Sequence, residues 1–360
     1  MNFYYLDELN NESQWWGMFI RDCKQFINLK PLSKHDNQLG IVLIDNQHWQ
    51  QQQNEVYSII KKYSSNSNLI FCLSDTSEGY PTTYLYYPFF EYLDECGIEK
   101  KRRLFMYNNA FNVTDGVKEC ELFYTWYYPS FVYEFSSNDI VKKENLLDRA
   151  DRYDFSCFNR RSKQHKLETV KKIVERNLNS ATTHDLWGDT DYTHESFLKG
   201  DDLTCDVNRQ YLLDDYYFWG KVNICTESEY YSTFHEKSTA DCDWQWDDMI
   251  HLTEKVFRNI AWGIPYVLIS SKGSLNEIRR LGFKTFDSII DERYDTVDDS
   301  VRVDLALDAA EQLLEKYNSD ELNEILEYNK KKIRTYYNDV KFFNTIVYNP
   351  LKNYINNLVI

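Results

Sequence analysis

V-N-I-C-T-E-S (222–228), L-T-E-K-V-F-R-N-I-A-W-G-I-P-Y-V-L-I (252–269) and S-L-N-E-I-R-R-L-G (274–282) follow one another as strand, helix, strand and helix. Val222 to Cys225 is a short apolar run of strand type, closed by Thr226-Glu227-Ser228. After a polar excursion from Glu229 to Ile250, Thr253 precedes a segment in which Val256, Phe257, Ile260 and Ala261 recur at helical spacing. Gly263 and Pro265 stop that segment, as they stop helices generally. Tyr266 to Ile269 predicts a second buried strand, and Ser274 with Glu277 predicts a capping box opening a brief helix that ends at Gly282. Strands alternating with helices in this way specify a parallel α/β sheet, which receives ligands at the carboxyl ends of its strands.

The same grammar extends to both sides. Leu39–Asp45 and Asn68–Leu73 are buried-strand patterns, separated by a helical spacing of Val56, Ile59, Ile60 and Tyr63. Leu104–Tyr107 and Leu122–Trp126 are shorter strand candidates. The polar run from Ser136 to Asp154 reads as a boundary. Beyond it, Phe155–Phe158 predicts a strand, and Leu167, Val170, Ile173, Val174 and Leu178 predict the buried face of a helix starting near Lys163. Val303–Tyr317 and Glu321–Tyr337 predict two further helices. At 360 residues the chain exceeds the size at which one core stops growing. The expectation is therefore two Rossmann-like domains, 1–150 and 151–335, with 336–360 a tail that packs back on the first.

Composition narrows the class. No segment approaches the roughly 18 apolar residues that read as a membrane span, and the N-terminus lacks the charged and apolar regions of a secretion signal. The eight cysteines are scattered without a C-x-x-C pair, as in a reduced, cytoplasmic protein. A formal net charge of −16 repels polyanions, which disfavours nonspecific binding to nucleic acid or anionic lipid. The 29 tyrosines and 9 tryptophans fit either packing residues or platforms for sugar rings.

Against that acidic background, cations gather where helices begin. Arg160, Arg161, Lys163, His165 and Lys166 lie between the Phe155 strand and its helix, and Lys255 stands in the first turn of the helix after Thr253. Cations at a helix N-terminus oppose the helix dipole by about 0.3–1 kcal/mol each, whereas an anion such as phosphate is favoured there by both dipole and side chains. Glu227, at the end of the Val222 strand, is placed to accept hydrogen bonds from ribose hydroxyls. In the first domain, Asp75 and Glu78 follow the Asn68 strand, where a carboxylate has the position of a general base. Glu78 is preferred, with Asp75 and His48 behind it; turn capping is the bland alternative.

C-F-N-R-R-S-K-Q-H-K-L (157–167), V-N-I-C-T-E-S (222–228) and T-E-K followed by G-I-P (253–265) together resemble the donor half of fucosyltransferase-like glycosyltransferases of the GT-B class. The continuation S-L-N-E-I-R-R-L-G-F-K-T-F with D-E-R-Y-D (274–295) looks like related enzymes of viral and microbial origin. The resemblance covers roughly 155–300 and does not reach the N-terminal half. It implies a GT-B fold of two Rossmann-like domains facing a cleft, and a hexosyl or deoxyhexosyl transfer from a nucleotide-sugar, GDP-linked by preference, to the hydroxyl of a glycan or other acceptor. A modified nucleobase remains within the acceptor range. It also implies inversion, no required cofactor, and a cytoplasmic location, the host's if the chain is viral. Carried over by position, Arg160 or Arg161 and Lys255 meet the donor diphosphate, Glu227 faces the nucleotide ribose or the sugar, Glu254 holds sugar or ribose hydroxyls, and Ser228 and Thr253 belong to the donor site. The family's asparagine is missing, since Ser228 follows Glu227 directly.

Two D-x-D triplets, Asp189-Thr190-Asp191 and Asp241-Cys242-Asp243, have the oxygen chemistry of a divalent-metal site, so a metal-dependent GT-A transferase is the rival within the class. The cations in the second half favour metal independence. A noncatalytic carbohydrate-binding protein is the rival from another class. A P-loop nucleotide enzyme is disfavoured by the missing G-x-x-x-x-G-K-[ST].

Overall fold

The computed structural model describes residues 2–7, 9, 29–45, 49, 52–75, 83–107, 121–124, 153–159, 163–184, 219–227, 233–237, 243–247, 250, 252–338 and 349–358. The chain divides into two compact units, Met1–Ser130 with Asn338–Ile360, and Phe131–Tyr337.

The first unit is built on a six-stranded parallel sheet of β1 (Asn2–Tyr5), β2 (Leu29–Pro31), β3 (Gly40–Asp45), β4 (Leu69–Asp75), β5 (Arg103–Tyr107) and β6 (Glu121–Tyr124), in the order β2-β1-β3-β4-β5-β6. Ile41 to Ile44 and Leu69 to Leu73 are buried continuously, because a parallel strand covered on both faces has no solvent side to alternate with. Helix α1 (Gln53–Tyr63) buries Val56, Ile59 and Ile60, the expected periodic face. Helix α2 (Thr83–Glu95) adds Phe89, Phe90 and Leu93 to the core, with Trp49 edge-on to Phe89 at 5.8 Å between centroids. The chain's last described helix, Asn349–Leu358, belongs to this unit.

The second unit carries a four-stranded parallel sheet of β7 (Tyr153–Asn159), β8 (Ser180–His184), β9 (Gly220–Thr226) and β12 (Tyr266–Ile269), in the order β12-β9-β7-β8. Helix α3 (Gln164–Glu175) joins β7 to β8, and α4 (Glu254–Trp262) joins β9 to β12. Gly220 lets β9 approach β7 closely, since a Cβ there would lie 2.5 Å from the backbone carbon of Phe155. Helix α4 ends at Gly263, whose φ of 66° is a left-handed conformation that glycine adopts without strain. Helices α5 (Ser274–Arg280), α6 (Asp299–Glu315) and α7 (Asp320–Asn338) follow. The buried Ala306, Ala309 and Ala310 of α6 alternate with Leu307 and Leu313. Arg302, 1% exposed, donates to the carbonyl oxygens of Ser270 and Val297 at 3.0 Å each and so fastens α6 to the end of β12.

The α/β class with parallel, Rossmann-like sheets is the one expected, and the polar excursion carries an antiparallel strand pair, β10 (Thr233–Lys237) with β11 (Asp243–Asp247). Two local expectations are corrected. No capping box forms at Ser274. Helix α5 is capped at Gly273; the Ser274 hydroxyl donates to Ser271 O at 2.7 Å, and the Glu277 carboxylate is taken by Arg280. The buried Asp295 supplies the cap instead, its carboxylate accepting from Leu275 N at 3.1 Å across the chain. The buried face of α3 is rotated from the expected one. It consists of His165, Lys166, Thr169, Val170 and Ile173, while Val174 is 48% exposed.

Candidate functional site

The sheet order of the second unit fixes where a ligand fits. From β7 the chain leaves through α3 toward β8, on one side; β9, paired to the other side of β7, continues through α4 to β12. The two crossovers therefore depart in opposite directions, making the carboxyl edge between β7 and β9 a topological switch point. Both α3 and α4 begin there.

Polar side chains stitch this edge together. Asn159 at the end of β7 accepts from the Thr226 hydroxyl at the end of β9. One turn below, Asn223 donates to Ser156 Oγ at 3.0 Å and accepts from Asn259 of α4 at 3.0 Å. These five side chains are buried, and hydrogen bonding of this kind is what makes buried amides and hydroxyls tolerable.

Glu227, the residue after β9, is 0% exposed. Its Oε1 accepts from Thr253 N at 3.0 Å, and its Oε2 accepts from Thr253 Oγ1 at 2.5 Å and from Lys255 Nζ at 3.4 Å. Thr253 is the N-cap of α4, its hydroxyl also accepting from Lys255 N at 3.4 Å. One carboxylate thus sets the start of α4 and holds the ammonium of its first turn. The Lys255 side chain is 19% exposed.

Opposite stands the start of α3, with Lys163 as N-cap, no side-chain cap bond and no acidic residue in its first turn. His165 is buried and donates through Nε2 to the carbonyl oxygen of Glu227 at 3.0 Å, tying α3 to the β9 loop. Burial first, and then the neighbouring lysines, lower its pKa to about 3, so the ring is neutral. Lys166 is only 3% exposed. Loss of hydration, reinforced by Lys255 and opposed by Glu227, brings its pKa down to about 7.

The expected site residues divide by position. Glu227, Thr253 and Lys255 are brought together directly, and Glu254 opens α4 beside them. Asp75 ends β4 in the first unit. Arg160, Arg161, Ser228, Glu78 and His48 lie outside the described residues, as do Asp189, Asp191, Asp241 and Cys242; Asp243 begins β11. Among the described residues there is no group of three or more His, Cys, Asp or Glu placed to hold a metal ion, and no helix is long and apolar enough to cross a membrane. Sequence reasoning did not single out Thr253 as the joint between Glu227 and Lys255, or Lys166 as a buried cation. Counting positions from the N-cap points to the latter, since the third residue of α3 falls on the same face as Thr169 and Val170.

Fold and site together define a protein of two parallel α/β units, the second carrying cations at two helix N-termini on a switch-point edge. No protein-family model and no curated protein sequence matches the chain. Among solved structures it has a distant likeness to the crystal structure of an α1,3-fucosyltransferase, at 9% identity and a TM-score of 0.42, over 96% of this chain and 89% of that one.

Proposed function

We propose that the protein is a glycosyltransferase of the GT-B type that binds a nucleotide-sugar at the switch point of its second unit and passes the sugar to an acceptor hydroxyl. The observation that carries this reading is the convergence of the α3 and α4 N-termini with Lys163 and Lys255 on one strand edge. Helix N-termini favour negative charge, so an anion arriving beside Lys163 and Lys255 gains from the helix dipoles and from the side chains together. The T-E-K and N-R-R motifs, at the start of α4 and beside α3, support a diphosphate as that anion.

In this reading Lys255, with Arg160 and Arg161, offsets the charge that develops on the departing diphosphate, an electrostatic role that often supplies much of the rate. Glu227 and Thr253 hold Lys255 in place. Ser228 and Glu254 meet ribose or sugar hydroxyls. Glu78, with Asp75 next in preference, takes the proton of the acceptor hydroxyl as the anomeric carbon inverts. The cations make a divalent metal unnecessary, and a GDP-linked donor is preferred. Transfer assays with GDP-, UDP-, ADP- and CMP-sugars test the reading. Lys255→Met is expected to lower kcat/KM by roughly 10²-fold or more, as loss of a transition-state charge partner does. Unchanged kcat/KM in that variant removes Lys255 from the chemistry.

A further inference from the structure

Glu227 is held from three sides, each by a different element. Its N–H donates to the carbonyl oxygen of Ile269 at the end of β12 at 2.9 Å. Its carboxylate takes Thr253 at the N-cap of α4 and Lys255 in the first turn of that helix. Its own carbonyl oxygen accepts from His165 Nε2 at 3.0 Å. A carbonyl oxygen only accepts, so this bond places the ring proton on Nε2. The N–H bond fixes Glu227 on the strand side, and the carbonyl bond fixes the peptide unit beyond it. Together they set the backbone from which the carboxylate projects to α4. His165 reaches the carbonyl from the second position of α3, where Thr169 Oγ1 donates to His165 O at 2.8 Å. His165 is 1% exposed and Glu227 0%. Burial keeps water from replacing the bond between them, and it keeps the imidazole from meeting a ligand itself.

We infer that His165 is a positioning residue for Lys255: through the Glu227 carbonyl it fixes the carboxylate that holds the Lys255 ammonium, and so links the start of α3 to the start of α4. In the glycosyltransferase reading, on which the diphosphate rests, this link sets where Lys255 meets the departing group. Charge stabilisation of a leaving group depends on placement, and a shift of about 1 Å can cost on the order of 10²-fold in rate. Glu227 Oε2 accepts from Thr253 Oγ1 at 2.5 Å and from Lys255 Nζ at 3.4 Å, so a turn of the Glu227 backbone disturbs both.

The test compares His165→Leu, which keeps bulk and removes the donor, with His165→Gln, whose terminal amide keeps a donor for the same carbonyl. Amide hydrogen exchange of the full, unliganded chain reads the link without any substrate. In His165→Leu the amides of Thr253 and Lys255 are expected to exchange at least about fivefold faster than in wild type, with those of β7 and β12 unchanged. His165→Gln is expected to restore them. Transfer assays with GDP-, UDP-, ADP- and CMP-sugars read the consequence. There His165→Leu is expected to lower kcat roughly 10-fold with KM within about twofold, and His165→Gln to recover most of the loss. In a Lys255→Met background the same change is expected to cost less than about twofold, because an effect carried by Lys255 disappears with it, whereas general loosening persists. Unchanged exchange at Thr253 and Lys255 in His165→Leu overturns the inference. So does faster exchange spread evenly over the second unit, a failure of His165→Gln to restore it, or a loss of kcat that is undiminished in Lys255→Met. If exchange responds as described but no sugar is transferred from any donor, the positioning of Lys255 stands and the transferase reading fails.

Discussion

Replacing Lys166 by methionine, which keeps the length of the side chain and removes the charge, is predicted to stabilise the unliganded protein, and by more at low pH than at high. The ammonium has a pKa of about 7 in the folded chain, against an ordinary value of 10.5. Each pKa unit is about 1.4 kcal/mol, so keeping the charged form buried costs on the order of 5 kcal/mol where both states are protonated. The folded pKa lies below the unfolded one, so between them the unfolded chain holds more protons and stability rises with pH. The penalty is present in full below about pH 7, falls through the interval, and is gone above about pH 10.5. At pH 9 roughly 2 kcal/mol of it remains, so the advantage of Lys166→Met is predicted to be about 3 kcal/mol larger at pH 6 than at pH 9. Urea denaturation of both proteins at the two pH values, with m values compared to confirm the same transition, measures this difference. Equal stabilities of wild type and variant at pH 6 would falsify the view that loss of hydration at Lys166 opposes folding.

Three further perturbations address the frame of the site. Glu227→Gln keeps one acceptor but loses charge-assisted bonds to Thr253 and Lys255; a cost of about 2 kcal/mol and a melting temperature lower by about 4–8 °C are expected, and a change under about 1 °C contradicts the joint described here. Gly263→Ala places a Cβ 2.4 Å from Lys330 Cδ at a φ of 66°, so a loss of about 1–2 kcal/mol by chemical denaturation is expected, and a neutral result refutes the left-handed cap. Asp295 is buried and its pKa is raised to about 7, chiefly by loss of hydration, so its charge opposes folding increasingly from about pH 4 to 7 and fully above. Asp295→Asn still accepts from Leu275 N; it should match wild type near pH 4 and exceed it in stability at pH 8, and the reverse order would show the charge to be favourable.

The strands β3, β4, β7, β9 and β12 were legible because strands covered on both faces read as unbroken apolar runs between turn signals. Helices α4, α6 and α7 were legible from spacing and their stops. Strand β8 was not: Ser180-Ala181-Thr182-Thr183-His184 is polar, and its position at the edge of the sheet relaxes the demand for apolar residues. Helix α2 was hidden by Pro88 and by a run of aromatics without helical period. The expected capping box failed because its sequence signature cannot show that Asp295, twenty residues on, takes over the cap. At the site, Glu227, Thr253 and Lys255 could be found as a motif, but their mutual bonding depends on the adjacency of β9 and α4 in space. Lys166 was visible only as one of several cations. Its burial goes with the rotation of α3 that also leaves Val174 exposed, and Lys172 and Arg176 of the same helix are held by Asp304 of α6.

Thermal denaturation of the full chain with GDP-, UDP-, ADP- and CMP-sugars shows whether the switch-point edge of the second unit holds a nucleotide-sugar. Saturation at about 100 times Kd stabilises by about 2.7 kcal/mol, or roughly 5–10 °C for a unit of this size. At least one of the four is predicted to raise the melting temperature of wild type by that amount and to leave Lys255→Met unmoved at the same concentration. No shift with any of them, or an equal shift in Lys255→Met, would contradict the account.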